Sequence, residues 1–391
     1  MQIIIHRGTH QIGGIATEIS TGSSRILIDM GEELSLDDNF VSTPLKISGI
    51  TDKNGNCDAV LFTHYHADHV GQLENIRDGI PLYMGPLAKD ILLATISKKN
   101  ESLRQRIQCA KSFEPGKMFK IGDILITPFS IDHSACDSYM FMLEAEGKKI
   151  LYTGDFRLHG FRHNCMEKII NKWVDGIYVL LIEGTTLSRS NENVMTEQQL
   201  QMKVAEYIKK YKYVFILCAS TNLERICAFS KSVPKGKYFI CDKYQSDLID
   251  LLQKHWSRYS ELYGNIKKTV YGDNLLDRFK ERGFLMVVRN NKKFRHIISK
   301  FPQERSIILY SMWDGYRTKE KSSIPDFLSL VPEWKLLHTS GHACKNDIRK
   351  IISLVNPKII IPIHTDSPDN IKDICLKDKV IILEDGDIFN V

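Results

Sequence analysis

Short apolar runs alternate with stretches of helical apolar spacing along nearly the whole chain, a pattern typical of mixed α/β proteins. In the first half the apolar runs predict strands at residues 3–5, 16–19, 25–28, 59–62, 124–126, 139–143, 150–152 and 178–182. Helical spacing fits between several of these runs. No apolar run approaches the roughly 18 residues that a membrane-spanning helix needs, so no membrane association is expected.

A polar stretch at residues 188–194 predicts a domain boundary. The segment that follows, Thr196-Glu-Gln-Gln199, has the pattern of a capping box, which marks the start of a helix. Apolar positions at Leu200, Val204 and Ile208 follow it with helical spacing. Runs at 214–217, 238–240, 285–288 and 307–310 then predict a parallel, doubly wound sheet. The last runs, at 336–337, 359–363 and 380–383, are too few for a third domain. We therefore expect domains at 1–190 and 195–335, with 336–391 returning to the first.

The composition argues against two uses of cysteine, and the charged residues are distributed unevenly along the chain. The nine cysteines contain no C-x-x-C pair, which argues against a disulfide framework and against a thiolate zinc site. The start lacks the residue order of a signal peptide, so a cytoplasmic protein is expected. Residues 196–335 carry an excess of eleven positive charges, and the remainder carries an excess of five negative charges. This division favours a polyanion-binding surface on residues 196–335. Lysines that serve only to increase solubility would produce the same distribution of charge.

The most distinctive motif is Thr63-His-Tyr-His-Ala-Asp-His-Val-Gly71, which directly follows an apolar run. It places three imidazoles and a carboxylate, those of His64, His66, Asp68 and His69, within one turn-sized segment. Divalent metals of borderline softness bind such nitrogen and oxygen donors. The spacing suggests two metal ions, because His64 and His66 can converge on one while Asp68 and His69 reach another.

Two ions need further ligands, and four more donors follow strand-like runs. These are Asp29, His133, Asp155 and His364. Strand ends are the usual location of site residues in sheet-based enzymes. A residue of this kind, taken alone, is more often a turn or capping residue. These four are metal-ligand candidates because the histidine motif is present in the same chain.

Two other groups of residues are candidates for catalysis and for phosphate binding. The Glu183 carboxylate could orient His342 and raise its pKa, so that the imidazole donates a proton. Small polar residues at strand-to-helix turns could bind a terminal phosphate, and helix capping is an equally good interpretation of them. They are Ser220, Thr221, Asn222, Ser340, Gly341 and Ala343.

The ordered motifs resemble those of a known superfamily. The H-x-H-x-D-H segment, with Asp29, His133 and Asp155 in order, resembles the metallo-β-lactamase superfamily. Later segments resemble the fourth superfamily motif and motifs A, B and C of the beta-CASP nucleases, especially the ribonuclease J type. They are LYTGDFR at 151–157, IEGTT at 182–186, HTSGH at 338–342 and IPIHT at 361–365. The resemblance runs over the whole chain and implies an αββα sandwich with an inserted α/β beta-CASP domain.

The resemblance also implies a role for each donor. Two divalent ions, zinc in first place and manganese in second, would have three protein ligands each and share a bridging carboxylate. Asp29 would support the cluster without binding metal, and Asp68, Glu183 and His342 would take part in catalysis. The implied ligands are His64, His66 and His133 for one ion, Asp68, His69 and His364 for the other, and Asp155 as the bridge.

The function implied is hydrolysis of phosphodiester bonds in single-stranded RNA, by exonucleolytic or endonucleolytic cleavage with hydroxide activated by two metal ions. The resemblance allows a homodimer. The sequence ends 27 residues after His364, so the extra C-terminal domain of ribonuclease J is not expected.

Other functions are compatible with the same histidines. A thioesterase or lactonase of this superfamily would share the cluster but would not require a basic insert. A redox di-iron relative usually has Glu where this chain has His66, and an inactive scaffold would have lost ligands. DNA nucleases of the Artemis type typically lack the last histidine. Because His364 is present, RNA is the preferred substrate.

Overall fold

The computed structural model describes residues 1–35, 40–189, 194–257 and 259–391. The strands within these ranges are β1 (Gln2–Arg7), β2 (Ala16–Ser20), β3 (Arg25–Ile28), β4 (Ala59–Leu61), β5 (Leu82–Met84), β6 (Lys111–Ser112), β7 (Phe119–Ile121), β8 (Ile124–Ile131), β9 (Ser138–Ala145), β10 (Lys148–Tyr152), β11 (Val179–Glu183), β12 (Tyr213–Leu217), β13 (Tyr238–Cys241), β14 (Thr269–Val270), β15 (Phe284–Val288), β16 (Ser306–Tyr310), β17 (Trp334–Leu336), β18 (Ile359–Ile363) and β19 (Ile388–Asn390). The α-helices are α1 (Ala67–Val70), α2 (Pro86–Thr95), α3 (Glu101–Cys109), α4 (Cys165–Trp173), α5 (Glu197–Lys210), α6 (Leu223–Lys231), α7 (Lys243–Trp256), α8 (Leu276–Arg282), α9 (Lys292–Ile298), α10 (Gly315–Thr318), α11 (Ile324–Leu328) and α12 (Lys345–Val355).

The strands form three sheets. The first has the order β19-β1-β2-β3-β4-β5-β6 and the second the order β18-β11-β10-β9-β8-β7. Both sheets mix parallel and antiparallel pairs. The third, β14-β13-β15-β12-β16-β17, contains only parallel pairs, as the doubly wound prediction requires.

The first two sheets pack face to face, and the alternation of side chains along each strand explains how. Ile26 and Ile28 on β3 share one buried cluster with Phe141 and Leu181 of the second sheet. Leu27, which points to the opposite face, packs on the side of helix α2. Because successive strand residues point to opposite faces, one apolar run supplies both the layer between the sheets and the layer under the helices.

The outer face of the second sheet is covered in the same way. Leu180 and Ile182 of β11 join Ile170 of α4 and Ile351 of α12 in a separate buried cluster. The two sheets and their outer helices therefore form the expected αββα sandwich.

Helices cover both faces of the third sheet. Val214 and Ile216 of β12 pack toward α5, α6 and α7, and Phe215 packs toward α8, α9 and α11. The predicted capping box of α5 is present, since Thr196 Oγ1 accepts from Gln199 N and Gln199 Oε1 accepts from Thr196 N. This sheet lies within residues 184–358, between β11 and β18, which pair with each other in parallel.

Two expectations about the apolar runs near the end of the sequence are wrong. Leu336 lies in a strand as predicted, but this strand is β17 of the third sheet, where Leu336 pairs with Tyr310, so it does not return to the sandwich. Residues 380–383 do not form a strand. Val380 makes a single isolated β-bridge with Ile360 of β18, and the side chains of Ile381 and Leu383 pack against the core between the two sheets. The last strand is instead β19, which pairs with β1.

The predicted boundary at 188–194 falls largely on residues 190–193, which lie outside the described ranges. The domain limits at 190 and 195 therefore stay a prediction. The limit near 335 stays one too, with Leu336 on the side of the third sheet. Over the described ranges, none of the helices combines the length and the apolar character that crossing a bilayer requires.

Candidate metal centre

The histidine motif lies where β4 leaves the first sheet. His64 and His66 occupy the connection after β4, and the single-turn helix α1 then carries Asp68 and His69. Backbone hydrogen bonds hold this turn against the chain after β3, among them Met30 N to His69 O at 2.8 Å. A Cβ atom at Gly31 would lie 1.6 Å from the Asp68 carbonyl oxygen, so this close approach requires glycine.

The donors predicted for the first metal ion lie together. His64, His66 and His133 each offer a ring nitrogen within 4.8 Å of the other two. His133 Nε2 is 3.2 Å from His66 Nδ1, although these side chains come from distant parts of the sequence. Burial is the main cause that lowers the pKa of His66 to about 4 and the pKa of His64 well below its usual value. Neutral imidazoles that converge in this way are metal donors.

The donors predicted for the second metal ion are also grouped. Asp68, His69, Asp155 and His364 offer ligand atoms that all lie within 4.8 Å of one another. His364 Nε2 is 3.2 Å from Asp68 Oδ2, and His69 Nε2 is 3.1 Å from Asp155 Oδ2. Although burial opposes it, the charges of His69 and His364 hold the pKa of the Asp68 carboxyl below its usual range.

Asp155 lies between the two groups. Its Oδ2 atom is 3.9 Å from His64 Nε2 and 3.9 Å from His133 Nε2, in addition to the contact with His69. Burial raises the pKa of Asp155, but His364 and His69 outweigh burial and hold it well below its usual value. A buried carboxylate that faces both groups suits the position of a bridging ligand.

Partners of the outer ring nitrogens orient three of these histidines. His69 Nδ1 donates to Asp29 Oδ2 at 2.8 Å, and His133 Nδ1 donates to the Gly341 carbonyl oxygen at 2.7 Å. His364 Nδ1 donates to Thr185 Oγ1 at 2.8 Å. These three partners favour the neutral tautomer that metal ligation needs, in which Nδ1 carries the proton and the Nε2 lone pair is free for a metal ion.

His64 provides a further test of whether the residues fit a metal. Its Nδ1 lies 3.1 Å from the Thr63 hydroxyl oxygen. Its Nε2 is buried and has no hydrogen-bond partner among the described residues. An unpartnered buried nitrogen is costly, and a cation in the cluster would satisfy it. The donor set therefore fits divalent metal ions.

Glu183 and His342 form a pair at the edge of the cluster. His342 Nδ1 lies 3.2 Å from Glu183 Oε2 and 3.5 Å from Asp155 Oδ2. Burial lowers the pKa of His342, but Glu183 and Asp155 outweigh burial and raise it. The His342 side chain keeps 21% of its surface exposed. The two carboxylates thus favour the protonated form of an imidazole that lies at the accessible edge of the cluster.

The residues predicted to bind phosphate occupy two turns. Ser220, Thr221 and Asn222 lie between β12 and α6, where Ser220 Oγ accepts from Gln245 Nε2. Asn222 is the N-cap of α6, but its side chain makes no capping hydrogen bond and its buried Oδ1 has no partner among the described residues. The capping interpretation therefore does not account for Asn222.

The second predicted group is already engaged in the fold. Ser340 Oγ accepts from His342 N, Gly341 O accepts from His133, and Ala343 N lies 3.4 Å from Glu183 Oε1. Phosphate binding by either group stays a prediction.

Sequence reasoning missed two residues that support the cluster. Thr63 donates from both its backbone nitrogen and its hydroxyl group to Asp29, at 2.8 Å each. Thr185 contacts His364, which is 179 residues away. Both threonines belong to the motifs at 63–71 and 182–186, but no local pattern reveals that they make such long-range contacts.

Two protein-family models match the chain. The beta-lactamase superfamily domain matches residues 24–216, and the Zn-dependent metallo-hydrolase RNA specificity domain matches residues 335–369. The first range contains six of the seven grouped donors, and the second contains His342 and His364.

Several known proteins are similar to the chain. Ribonuclease J of Helicobacter pylori strain J99 is 23% identical over 91% of this chain and 54% of its own length. An RNase J-like protein of Methanocaldococcus jannaschii is 28% identical over 54% of this chain and 49% of its own length. The chain thus spans about half the length of these relatives.

A solved structure supports the fold. The crystal structure of a protein of unknown function from Enterococcus faecalis V583 aligns with a TM-score of 0.80 at 20% identity, and the alignment covers 99% of both chains.

Proposed function

Because the chain carries both of these domains, it is a metallo-β-lactamase superfamily protein that resembles ribonuclease J, and we propose that it is a metal-dependent ribonuclease. The proposed reaction is hydrolysis of phosphodiester bonds in single-stranded RNA. The observation that carries the proposal is the convergence of seven buried or nearly buried donors, taken from four separate parts of the sequence, into two adjoining groups.

The donor groups define which residues would hold the metals. His64, His66 and His133 would hold one ion, and Asp68, His69 and His364 a second, with Asp155 shared. Zinc is the first expectation and manganese the second, because nitrogen and oxygen donors accept both. Such ions supply a Lewis acid for the phosphoryl oxygens and lower the pKa of water.

His342 and Glu183 would handle the proton of the leaving group. Nδ1 of His342 is directed at Glu183 Oε2, which leaves Nε2 available to a departing ribose oxygen. The raised pKa of His342 favours the protonated imidazole that a general acid requires. Glu183 Oε1 accepts from Phe156 N at 2.9 Å, which fixes the carboxylate that orients the imidazole.

The preference for RNA rests on charge and on the matched RNA specificity domain. The positive excess of residues 196–335 would attract the remaining phosphates. The turn at 220–222 and the turn at 340–343 are the proposed contacts for a terminal phosphate. A cytoplasmic location and a homodimer are parts of the same proposal, and sedimentation analysis measures the second.

The direct test is incubation of the purified protein with single-stranded RNA and DNA that bear 5′-monophosphate, 5′-triphosphate or 5′-hydroxyl ends. We expect cleavage of RNA. Mononucleotides released only from 5′-monophosphate RNA indicate an exonuclease, and discrete internal fragments indicate an endonuclease. Cleavage of DNA alone, or of thioesters without nucleic acid cleavage, contradicts the proposal in favour of the two other hydrolase classes.

A matched variant separates hydrolysis from binding. Asp68→Ala removes one donor of the second group and its contact with His364. We expect hydrolysis to be abolished while RNA binding, measured by fluorescence anisotropy, stays largely intact. Unchanged cleavage by this variant contradicts the ligand assignment.

A further inference from the structure

A pair of exposed aromatic side chains lies in the connection that follows β16, with Trp313 before helix α10 and Tyr316 on this helix. Trp313 and Tyr316 remain 39% and 40% exposed, although their rings contact each other edge to face with centroids 5.3 Å apart. Paired aromatic rings of this size contribute most when they are buried. Two large rings that contact each other and still face solvent indicate a binding surface.

The backbone around this pair is built to hold the rings. Tyr310 donates from its hydroxyl group to the Trp313 carbonyl oxygen at 2.8 Å, and Ser322 donates to the Tyr316 carbonyl oxygen at 2.7 Å. A Cβ atom at Gly315 would lie 2.4 Å from the Trp313 ring, so the indole occupies space that only glycine leaves open. The pair is therefore a fixed feature of this connection.

A cation from the sandwich reaches the same pair. The Arg189 guanidinium lies 5.6 Å from the centre of the Trp313 ring, a cation–π distance. Arg189 follows Glu183 by six residues. Ser188, the residue before Arg189, donates from its hydroxyl group to Asp366 Oδ2 at 3.3 Å. Because Asp366 is two residues beyond His364, Arg189 connects the aromatic pair with the edge of the metal centre.

The Arg189 backbone is tied to the accessible edge of the metal centre. The Thr186 carbonyl oxygen accepts from Arg189 N at 3.0 Å, and the Thr186 hydroxyl group donates to the carbonyl oxygen of Ala343, the residue after His342, at 2.6 Å. Asp68 and His342 keep part of their side chains exposed, whereas His69, His133 and Asp155 are fully or almost fully buried. The aromatic pair thus lies beside the accessible edge of the cluster.

We propose that Trp313, Tyr316 and Arg189 form a stacking platform for a nucleobase next to the bond that is cleaved. The proposal rests on the proposed ribonuclease function and adds to it a specific contact with the substrate. Every base has a flat π-face, so an exposed indole binds bases with little dependence on sequence. The Arg189 guanidinium would bind the neighbouring phosphate while it stacks on Trp313. This combination of exposed ring and cation fits a single-stranded nucleic acid better than an acyl chain, which has no charge to pair with the arginine.

The test is Trp313→Leu, assayed with RNA oligonucleotides in which one base at a time is removed near the cleaved bond. In the parent protein we expect one position at which loss of the base raises KM about tenfold, since stacking is worth roughly 1–3 kcal/mol per base. Trp313→Leu should raise KM for intact RNA by a similar factor, leave kcat nearly unchanged and lose the response to the missing base. Trp313→Phe keeps a ring and should restore most of the affinity.

The matched control is Trp173→Leu, because Trp173 is more exposed, contacts Lys172 and lies on α4. This control should bind and cleave RNA as the parent does. If Trp313→Leu shows the parent KM, or still responds to the missing base as the parent does, the platform is overturned.

Binding in the Asp68→Ala background distinguishes failure of the platform from failure of the ribonuclease proposal. If Asp68→Ala binds RNA and the double variant with Trp313→Leu binds about tenfold more weakly, the platform is supported independently of cleavage. If parent and Asp68→Ala neither cleave nor bind RNA, the proposed function itself fails, and the platform with it.

Discussion

Asp29 and His364 both adopt left-handed backbone conformations, with φ of 62° and 54°. Side chains other than glycine rarely occupy this region, and each instance costs about 1–3 kcal/mol. Both residues end a strand, and both direct polar side chains to the metal centre. At these two of the seven non-glycine positions with positive φ among the described residues, the strain falls where the chain leaves a strand and presents a polar group to the candidate metal centre.

Asp29→Asn tests whether this carboxylate supports metal binding. Asp29 accepts from Thr63 N, Thr63 Oγ1 and His69 Nδ1, whereas asparagine has a single acceptor oxygen. We expect metal affinity to fall about 10- to 100-fold while the fold is retained. Competition with a chromogenic chelator measures this. Asp58→Asn is the control, because Asp58 contacts Arg25 N away from the cluster, and equal affinities for the two variants would contradict the assignment.

Glu183→Gln tests the proton-donor pair. Glutamine keeps the oxygen that accepts from Phe156 N but removes the charge that holds the proton on His342. We expect kcat on RNA to fall about 100-fold, with KM and metal content nearly unchanged. Glu167→Gln, which disturbs only an exposed contact with Lys350, should behave as the parent protein. A normal kcat for Glu183→Gln would remove the pair from the mechanism.

Most of the grouped side chains of the candidate metal centre could be predicted from the sequence because each is part of a short motif at the end of an apolar run. Their partners could not be predicted in the same way. Thr185 contacts His364, and the Gly341 carbonyl contacts His133, across 179 and 208 residues. Such contacts depend on how the sheets pack, which no local spacing encodes.

At the scale of elements, long runs were predicted well and short ones were not. The strands β5, β6, β7, β14 and β19 contain only two or three residues and carry no alternation that stands out from a loop. Residues 380–383 show the opposite error, since an apolar run packs against the sandwich without forming a ladder. Strand pairing is a property of two segments, so a single run does not determine it.

Thr196→Ala tests the capping box that the sequence predicts at the start of α5. The substitution removes the hydroxyl oxygen that accepts from Gln199 N. We expect the free energy of unfolding to fall by about 1 kcal/mol. Urea denaturation measures this, with Thr318→Ala as the control. The exposed Thr318 hydroxyl group only donates to Asp314 O, so its loss should change stability by less than about 0.5 kcal/mol.

At the scale of the molecule, a buried ion network joins the sandwich to the segment that carries the third sheet. Glu197 at the start of α5 accepts from Arg157 and from Arg225, at 2.6 Å in each case. Arg225 also donates to the Thr339 carbonyl oxygen at 2.8 Å, three residues before His342. The network therefore connects both parts of the chain with the edge of the metal centre.

Glu197→Gln should be strongly destabilising because it leaves two buried guanidinium groups without their shared charge. We expect a loss of about 3–5 kcal/mol in the free energy of unfolding at neutral pH. The exposed Glu206 on the same helix provides the control variant Glu206→Gln, which should unfold as the parent does.

The difference in stability between the parent protein and Glu197→Gln should depend on pH. Burial raises the pKa of Glu197, but Arg225 and Arg157 outweigh burial and lower it from 4.5 to about 2. A depressed pKa means that the stabilisation is fully present above the ordinary value and is lost as the pH falls toward 2. The difference in unfolding midpoint between parent and Glu197→Gln should therefore shrink below about pH 4.5. A difference that is constant across this range would contradict the ionic origin.

The parallel pairing of β11 with β18 has a consequence for biosynthesis. Glu183 emerges from the ribosome long before His364, and the 175 residues between these strands must be made first. A nascent polypeptide whose translation stalls before codon 364 lacks one of the donors, whatever it has already folded. Under the ribonuclease proposal, an incomplete chain could not degrade the message from which it is being translated.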